Sequence, residues 1–157
     1  MRVAIASDKS GYPLKDAVRQ YLETRDDMEI IDFGLAGPEE NEPYDGQAPK
    51  VAQAIQNGEA DLGVLVCGTG QGMGIVANKH KGIYAVVADS AFAARRGRII
   101  NNANVLTMGG WVTAPFLGVE IVEAFVDAEF TVGMEDRAEW LRNAYGRVQE
   151  LESRTFG

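Results

Sequence analysis

The side chain best suited to proton-transfer or covalent chemistry is Cys67, the one cysteine of the chain, within Val64-Leu65-Val66-Cys67-Gly68-Thr69-Gly70-Gln71-Gly72-Met73-Gly74-Ile75-Val76-Ala77-Asn78-Lys79. The apolar run from Leu62 to Val66 reads as a buried parallel strand that ends on the thiol, and a glycine-rich turn then opens an apolar helical segment. Glycines at 68, 70, 72 and 74 let the backbone approach a ligand closely and present successive N–H groups, with the positive end of the helix dipole at the same spot. Thiolate is favoured beside helix N-termini and N–H clusters. Cys67 is therefore a candidate base or nucleophile, and the Thr69 hydroxyl a candidate proton relay. A small cysteine merely buried at a strand end is the competing reading. The glycine spacing, Thr69 and the helix start together weigh against it.

The elements that must hold this stretch alternate regularly. Arg2 to Ser7 is an apolar first strand; Asp8-Lys9-Ser10-Gly11 follows as a turn; Pro13 then opens a helix with Leu14, Ala17, Val18, Tyr21 and Leu22 at helical spacing. Met28 to Phe33 is the second strand. The segment Gly34 to Gly46 is too polar and too broken by proline and glycine to be an element, and Tyr44 to Gln56 is the second helix, stopped by Asn57-Gly58. After the glycine turn, Gly82 closes a short helix and Ile83 to Ala88 is the fourth strand. Ser90 caps a helix through Ile100, Asn104 to Met108 is the fifth strand, and Pro115 opens a helix to Phe125. Met134 to Glu152 is a last, charged helix with Leu141, Ala144, Tyr145, Val148 and Leu151 as its packing stripe. Strand–helix alternation predicts an α/β fold, a three-layer α/β/α sandwich over a parallel sheet. Ligands in such sheets bind beyond the carboxyl ends of the strands where the winding reverses, so if Asp8 and Cys67 serve one site their strands are expected to be neighbours.

Composition narrows the function. A chain of 157 residues with 46% apolar side chains builds one core, a single domain over residues 1–157. A net charge of -8 argues against nucleic acid, and an anionic substrate needs locally concentrated cations. A lone cysteine forms no internal disulfide. No signal-like N-terminus and no membrane-length apolar run are present, so a cytoplasmic protein with no membrane partner is expected. One histidine, one cysteine and scattered acids make no metal-ligand pattern, so neither metal nor cofactor is expected. His80, at a helix end, is read as a solvated residue facing the dipole.

The Cys-Gly-Thr-Gly-x-Gly-x-x-x-x-Ala-Asn-Lys pattern of residues 67–79 closely resembles the motif of the ribose-5-phosphate isomerase B and galactose-6-phosphate isomerase family. The resemblance runs from the first strand to the helix after Pro115 and fades in the last twenty-odd residues. It implies a Rossmann-like five-stranded parallel sheet beginning 2-1-3, and metal-free aldose–ketose isomerisation through a cis-enediolate with Cys67 as base. It also implies a homodimer or homotetramer with shared sites, Asn101 of one chain completing the Cys67 pocket of another. Asp8 falls on a sugar-hydroxyl ligand of the family, though a turn aspartate capping the next helix is the plainer reading. Lys9 stands where the family has histidine, and an ammonium is a serviceable phosphate contact. Asn101, in Asn101-Asn102-Ala103-Asn104-Val105, falls on the asparagine that helps hold the enediolate oxygen; an asparagine turn into the fifth strand is the alternative.

Three further positions depart from the ribose-specific pattern. Ile100 replaces the histidine that opens the furanose ring, while Trp111 and Met134 stand where phosphate-binding arginines are expected. Arg137 lies one place from the second of the C-terminal arginines, and Arg98 aligns with an arginine before the missing histidine. The resemblance implies ribose 5-phosphate to ribulose 5-phosphate by default. A tetrose 4-phosphate, which cannot close a furanose ring, or a non-phosphorylated sugar suits the departures. A binding subunit of a heteromeric galactose-6-phosphate isomerase and a flavodoxin-like nucleotide module are the readings from other classes.

Overall fold

In the computed structural model, which describes residues 1–156, five parallel strands form one sheet, in the spatial order second, first, third, fifth and fourth along the chain. The elements in chain order are β1 (Arg2–Ser7), α1 (Tyr12–Glu23), β2 (Glu29–Asp32), α2 (Tyr44–Gln56), β3 (Leu62–Cys67), α3 (Gln71–Ala77), β4 (Ala85–Val87), α4 (Ala91–Asn101), β5 (Val105–Gly109), α5 (Pro115–Val126), a 3-10 turn (Glu135–Arg137) and α6 (Ala138–Thr155). No helix among the described residues is long and apolar enough to cross a membrane.

The central strands β3 and β5 are buried throughout and β1 at all but its first residue, which explains their unbroken apolar character: helices cover both faces. Alternate residues feed two cores. Val3, Ile5, Val64, Val66, Leu106 and Met108 pack under α1, α4 and α5, whereas Ala4, Ala6, Leu65 and Cys67 face α2 and α3. Winding runs outward from β1 to β2 and then returns across β1 to β3, so the reversal falls between β1 and β3. Ser7 pairs with Val66, and the Asp8 N–H donates to the Val66 carbonyl at 3.2 Å. The two chemistry-bearing strand ends therefore meet at the crevice where such sheets bind ligands.

Two expectations need correction, and one burial was not foreseen. The fourth strand is only Ala85–Val87, and asparagine side chains hold its start: Asn104 Oδ1 accepts from Tyr84 N–H at 2.8 Å, and Asn78 exchanges two hydrogen bonds with Ala85. The last helix begins at Ala138 after the 3-10 turn, and its stripe is only partly used. Leu141 is buried, but Val148 and Leu151 are exposed, since α6 extends beyond the edge of the core. Lys15, polar on a helix, is 1% exposed, its Nζ donating to Asp32 Oδ2 at 2.8 Å and the Leu35 carbonyl at 2.7 Å. Replacing it leaves both acceptors without a donor. Lys15→Met is expected to lower stability by about 2–3 kcal/mol, read as an earlier urea midpoint at unchanged m.

Candidate active site

The loop after β3 is shaped by its contacts with β5. Gly70 has φ +80°, and an added Cβ there would stand 2.9 Å from the Met108 backbone, so the left-handed turn and the close approach both demand glycine. Thr107 Oγ1 donates to the Gly70 carbonyl at 2.9 Å from beneath, and Gly110 N–H donates to the Cys67 carbonyl at 2.7 Å. Held in this way, the Cys67 Sγ accepts the Gly70 N–H at 3.1 Å. Cys67 is 5% exposed, at the wall of a cavity of about 290 Å³ lined also by Asp8, Ser10, Tyr44, Gly68, Thr69, Gly72 and Trp111.

The glycine stretch divides its labour. Gly68 and Gly72 line the cavity, whereas the Gly70 N–H is spent on the thiol and the Gly74 N–H on the Gly70 carbonyl. Gly74 is buried against Val87 and Thr107, so it serves packing of α3 on the sheet and not a ligand. Gly72 lies in the first turn of α3, where N–H groups have no intrahelical acceptor. Thr69 is exposed, its Oγ1 accepting from Gln71 N–H at 3.3 Å, and it also borders a second cavity with Val87, Asp89 and Val112.

Asp8 combines its two readings. Its Oδ1 accepts the Gly11 N–H at 3.0 Å, fixing the turn into α1, while the residue lines the cavity. Lys9 follows it, exposed.

Asn101 and Arg137 are not brought to Cys67 within one chain. Asn101 ends α4 at the rim where β5 begins, while Cys67 pairs with Gly109 at the rim where β5 ends, a strand length of roughly 13 Å away. Arg137 belongs with Asn101: the loop before it is tied to α4 by the Thr131 N–H on the Ile99 carbonyl at 2.9 Å and by Arg96 on Met134 Sδ at 3.6 Å. Arg137 itself is 68% exposed and 3.9 Å from Asp136. Near Asn101 lies an apolar groove of about 350 Å³ lined by Ile100, Tyr84, Trp140, Tyr145 and Val148. Burial and a hydrogen bond to Glu152 push the Tyr84 phenol above its ordinary pKa.

Arg98 is partly spent within the chain: its guanidinium donates to the Ala103 carbonyl at 2.7 Å and lies over Phe125. Burial lowers its pKa from the usual guanidinium value. His80 ends its helix turn against the Val76 carbonyl, 3.1 Å away. Sequence reasoning missed Tyr44, which it placed only as a helix start, and Trp111, which it noted only as a departure. The glycines at 68 and 72 were the available signal, since an aromatic ring lies on each.

A family model described as Ribose/Galactose Isomerase matches residues 3–140. The chain belongs to the ribose/galactose isomerase family. Membership makes it an aldose–ketose isomerase and sets aside the flavodoxin-like nucleotide module. It is 45% identical over 157 residues to the 4-deoxy-4-sulfo-D-erythrose isomerase of Clostridium sp. (strain MSTE9), covering 99% of this chain and 98% of that one. It is 38% identical over 133 residues to the D-erythrulose-4-phosphate isomerase of Pectobacterium atrosepticum, with 85% and 87% covered. The structure of ribose-5-phosphate isomerase B from Clostridium thermocellum superposes with a TM-score of 0.89 at 37% identity over 99% of each chain. The similarity thus extends through α6, beyond the point where the motif resemblance fades.

Among the described residues, no group of three or more His, Cys, Asp or Glu side chains is placed to hold a metal ion.

Proposed function

We propose that this isomerase interconverts a short open-chain aldose bearing a terminal anionic group with its ketose, preferring a four-carbon substrate, through a cis-enediolate. The observation that carries this reading is Ile100. An isoleucine neither donates to nor accepts from a ring oxygen, so the chain has no acid or base where a ring must open. The relatives named for four-carbon substrates agree with it. Ribose 5-phosphate is the second reading, favoured by the overall likeness to ribose-5-phosphate isomerase B.

In the proposed mechanism, Cys67 as thiolate takes the proton from C2 of the aldehyde form, and the electron pair moves to O1 to leave the enediolate. The thiol then returns the proton to C1, while Thr69 passes the remaining hydroxyl proton from O2 to O1, restoring a carbonyl at C2. A placed base contributes roughly 10² to 10⁴-fold. The first-turn N–H of Gly72 and the amide of Asn101 oppose the developing oxyanion charge, and Asp8 holds a substrate hydroxyl. Lys9 and Arg137 supply positive charge for the terminal anion.

For Asn101 and Arg137 to serve this site, they come from a second copy of the chain. Supporting this, large apolar side chains stand exposed on the chain: Phe116 at 81% on α5, Phe92 at 71% on α4, Ile75 at 63% on α3, and Val112 at 59% in the second cavity that Thr69 borders. Apolar exposure of this kind on a chain of charge -8 suits contact with another protein surface.

The substrate reading is tested with kcat/KM for erythrose 4-phosphate and ribose 5-phosphate in the wild type and in Ile100→His. The wild type is expected to favour the tetrose. The histidine is expected to raise ribose 5-phosphate turnover by about tenfold and to leave the tetrose within about twofold, because only the cyclic sugar gains a step. A wild type already favouring ribose 5-phosphate, with the histidine changing nothing, sinks this account of Ile100.

A further inference from the structure

The cavity at Cys67 is bounded by two aromatic rings that no core requires. Trp111 is 74% and Tyr44 41% exposed, yet each is seated on a glycine of the turn. A Cβ added at Gly68 would stand 2.7–2.8 Å from Cδ2, Cε3 and Cζ3 of the Trp111 indole, and one at Gly72 would stand 2.9 Å from the Tyr44 ring. Trp111 comes from the loop after β5 and Tyr44 from the first turn of α2, so they close the cavity from different elements.

Trp111 is also tethered. Its N–H donates to the Gly68 carbonyl at 2.9 Å, the preceding Gly110 N–H donates to the Cys67 carbonyl at 2.7 Å, and the Thr113 N–H closes back on Gly109 at 2.9 Å. A Cβ added at Gly110 would stand 2.6 Å from the Ser10 carbonyl oxygen, so the loop packs closely there. The backbone that carries the ring is thus bonded to the strand end that carries the thiol, and the indole rests on Gly68.

We propose that Trp111, backed by Tyr44, is the specificity-determining wall of this site and sets the length of sugar chain accepted beyond the two reacting carbons. The inference rests on the isomerase reading above. An aromatic face carries negative charge density and suits C–H groups better than an anion. The substrate carbon chain therefore lies along the indole, and its charged end points away from it. A chain one carbon longer meets the indole before its reacting carbons reach Cys67. Discrimination of one carbon unit by a shaped pocket is worth roughly 10- to 200-fold.

The test uses ketoses, because neither erythrulose 4-phosphate nor ribulose 5-phosphate can form a five-membered ring, so chain length is separated from ring opening at position 100. kcat/KM for both is measured in the wild type, Trp111→Phe and Trp111→Ala, with melting temperature and oligomeric state recorded. The wild type is expected to prefer erythrulose 4-phosphate. The preference is expected to fall at least tenfold in Trp111→Ala, with Trp111→Phe between, through better use of ribulose 5-phosphate. If both substrates decline together and the ratio stays within twofold, Trp111 is a packing or subunit-contact residue and the inference is overturned. Should the alanine variant not fold, an unchanged ratio in Trp111→Phe overturns it equally. A wild type that isomerises none of these sugars overturns the isomerase reading itself, and the inference with it.

Discussion

Cys67→Ala is expected to reduce kcat by roughly 10² to 10⁴-fold, the range that a positioned general base supplies. The thiol is the one ionisable side chain at the end of β3, it accepts the Gly70 N–H at 3.1 Å, and Asp8, its nearest acidic neighbour in the cavity lining, is engaged at Oδ1 by Gly11. The fold should persist, because the loop is held by the Thr107 bond to Gly70 and the Gly110 bond to Cys67, neither of which uses the sulfur. One N–H loses its acceptor, a cost of about 1–3 kcal/mol, which the melting temperature will register. Cys67→Ser, which keeps an acceptor but not an acidic thiol, should be as inactive as the alanine variant and more stable. Activity within tenfold of wild type in either variant removes Cys67 as the base.

Mixing two inactive variants should restore activity if the site is shared. Asn101→Ala removes a donor to the developing oxyanion and is expected to lower kcat by about 10² to 10³-fold. When Cys67→Ala and Asn101→Ala chains are co-refolded in equal amounts, half of the dimers are hybrids, and each hybrid has one site with both residues intact. The mixture should therefore reach about a quarter of wild-type activity in a two-fold symmetric dimer. A site built within one chain allows no such rescue, since every site then carries a defect. Differently tagged chains that form hybrids in measured amounts yet stay inactive would dismiss the shared site.

Much of the architecture could be read from the chain because burial on both faces writes a simple pattern. β1, β3 and β5 lie between helix layers, so each is a short run that is apolar without alternation. α2 was legible to both its ends, Tyr44 and Gln56, since its apolar face repeats regularly and Asn57-Gly58 stops it. The turn from Cys67 to Gln71 was legible for a local reason: its conformation depends on residues within a few positions of one another, with Gly70 at positive φ capping α3. By contrast, the short β4 is held at its start by Asn78 and Asn104, which reach it from other segments, and Lys15 was buried by partners 17 and 20 residues away.

The candidate site divides along the same line. The residues proposed to carry the chemistry, Cys67 and Thr69 with Asp8 just beyond the end of β1, were picked out by residue type and by the resemblance, and the pairing of β1 with β3 brings them to one end of the sheet. Where the remaining groups stand does not follow, because a parallel sheet has two rims and the residues of one connection reach only one of them. Asn101 enters β5 and so lies at the rim away from Cys67, although both belong to one motif-bearing half of the chain. Trp111 leaves β5 and so arrives beside the thiol, where packing against Gly68 turns a side chain that composition would place anywhere on the surface into a wall of the cavity. Local sequence encodes backbone shape and reactivity through short-range sterics and hydrogen bonds. The shape of the cavity is set by contacts between residues far apart in the chain, which exist only once the sheet has brought its strands together.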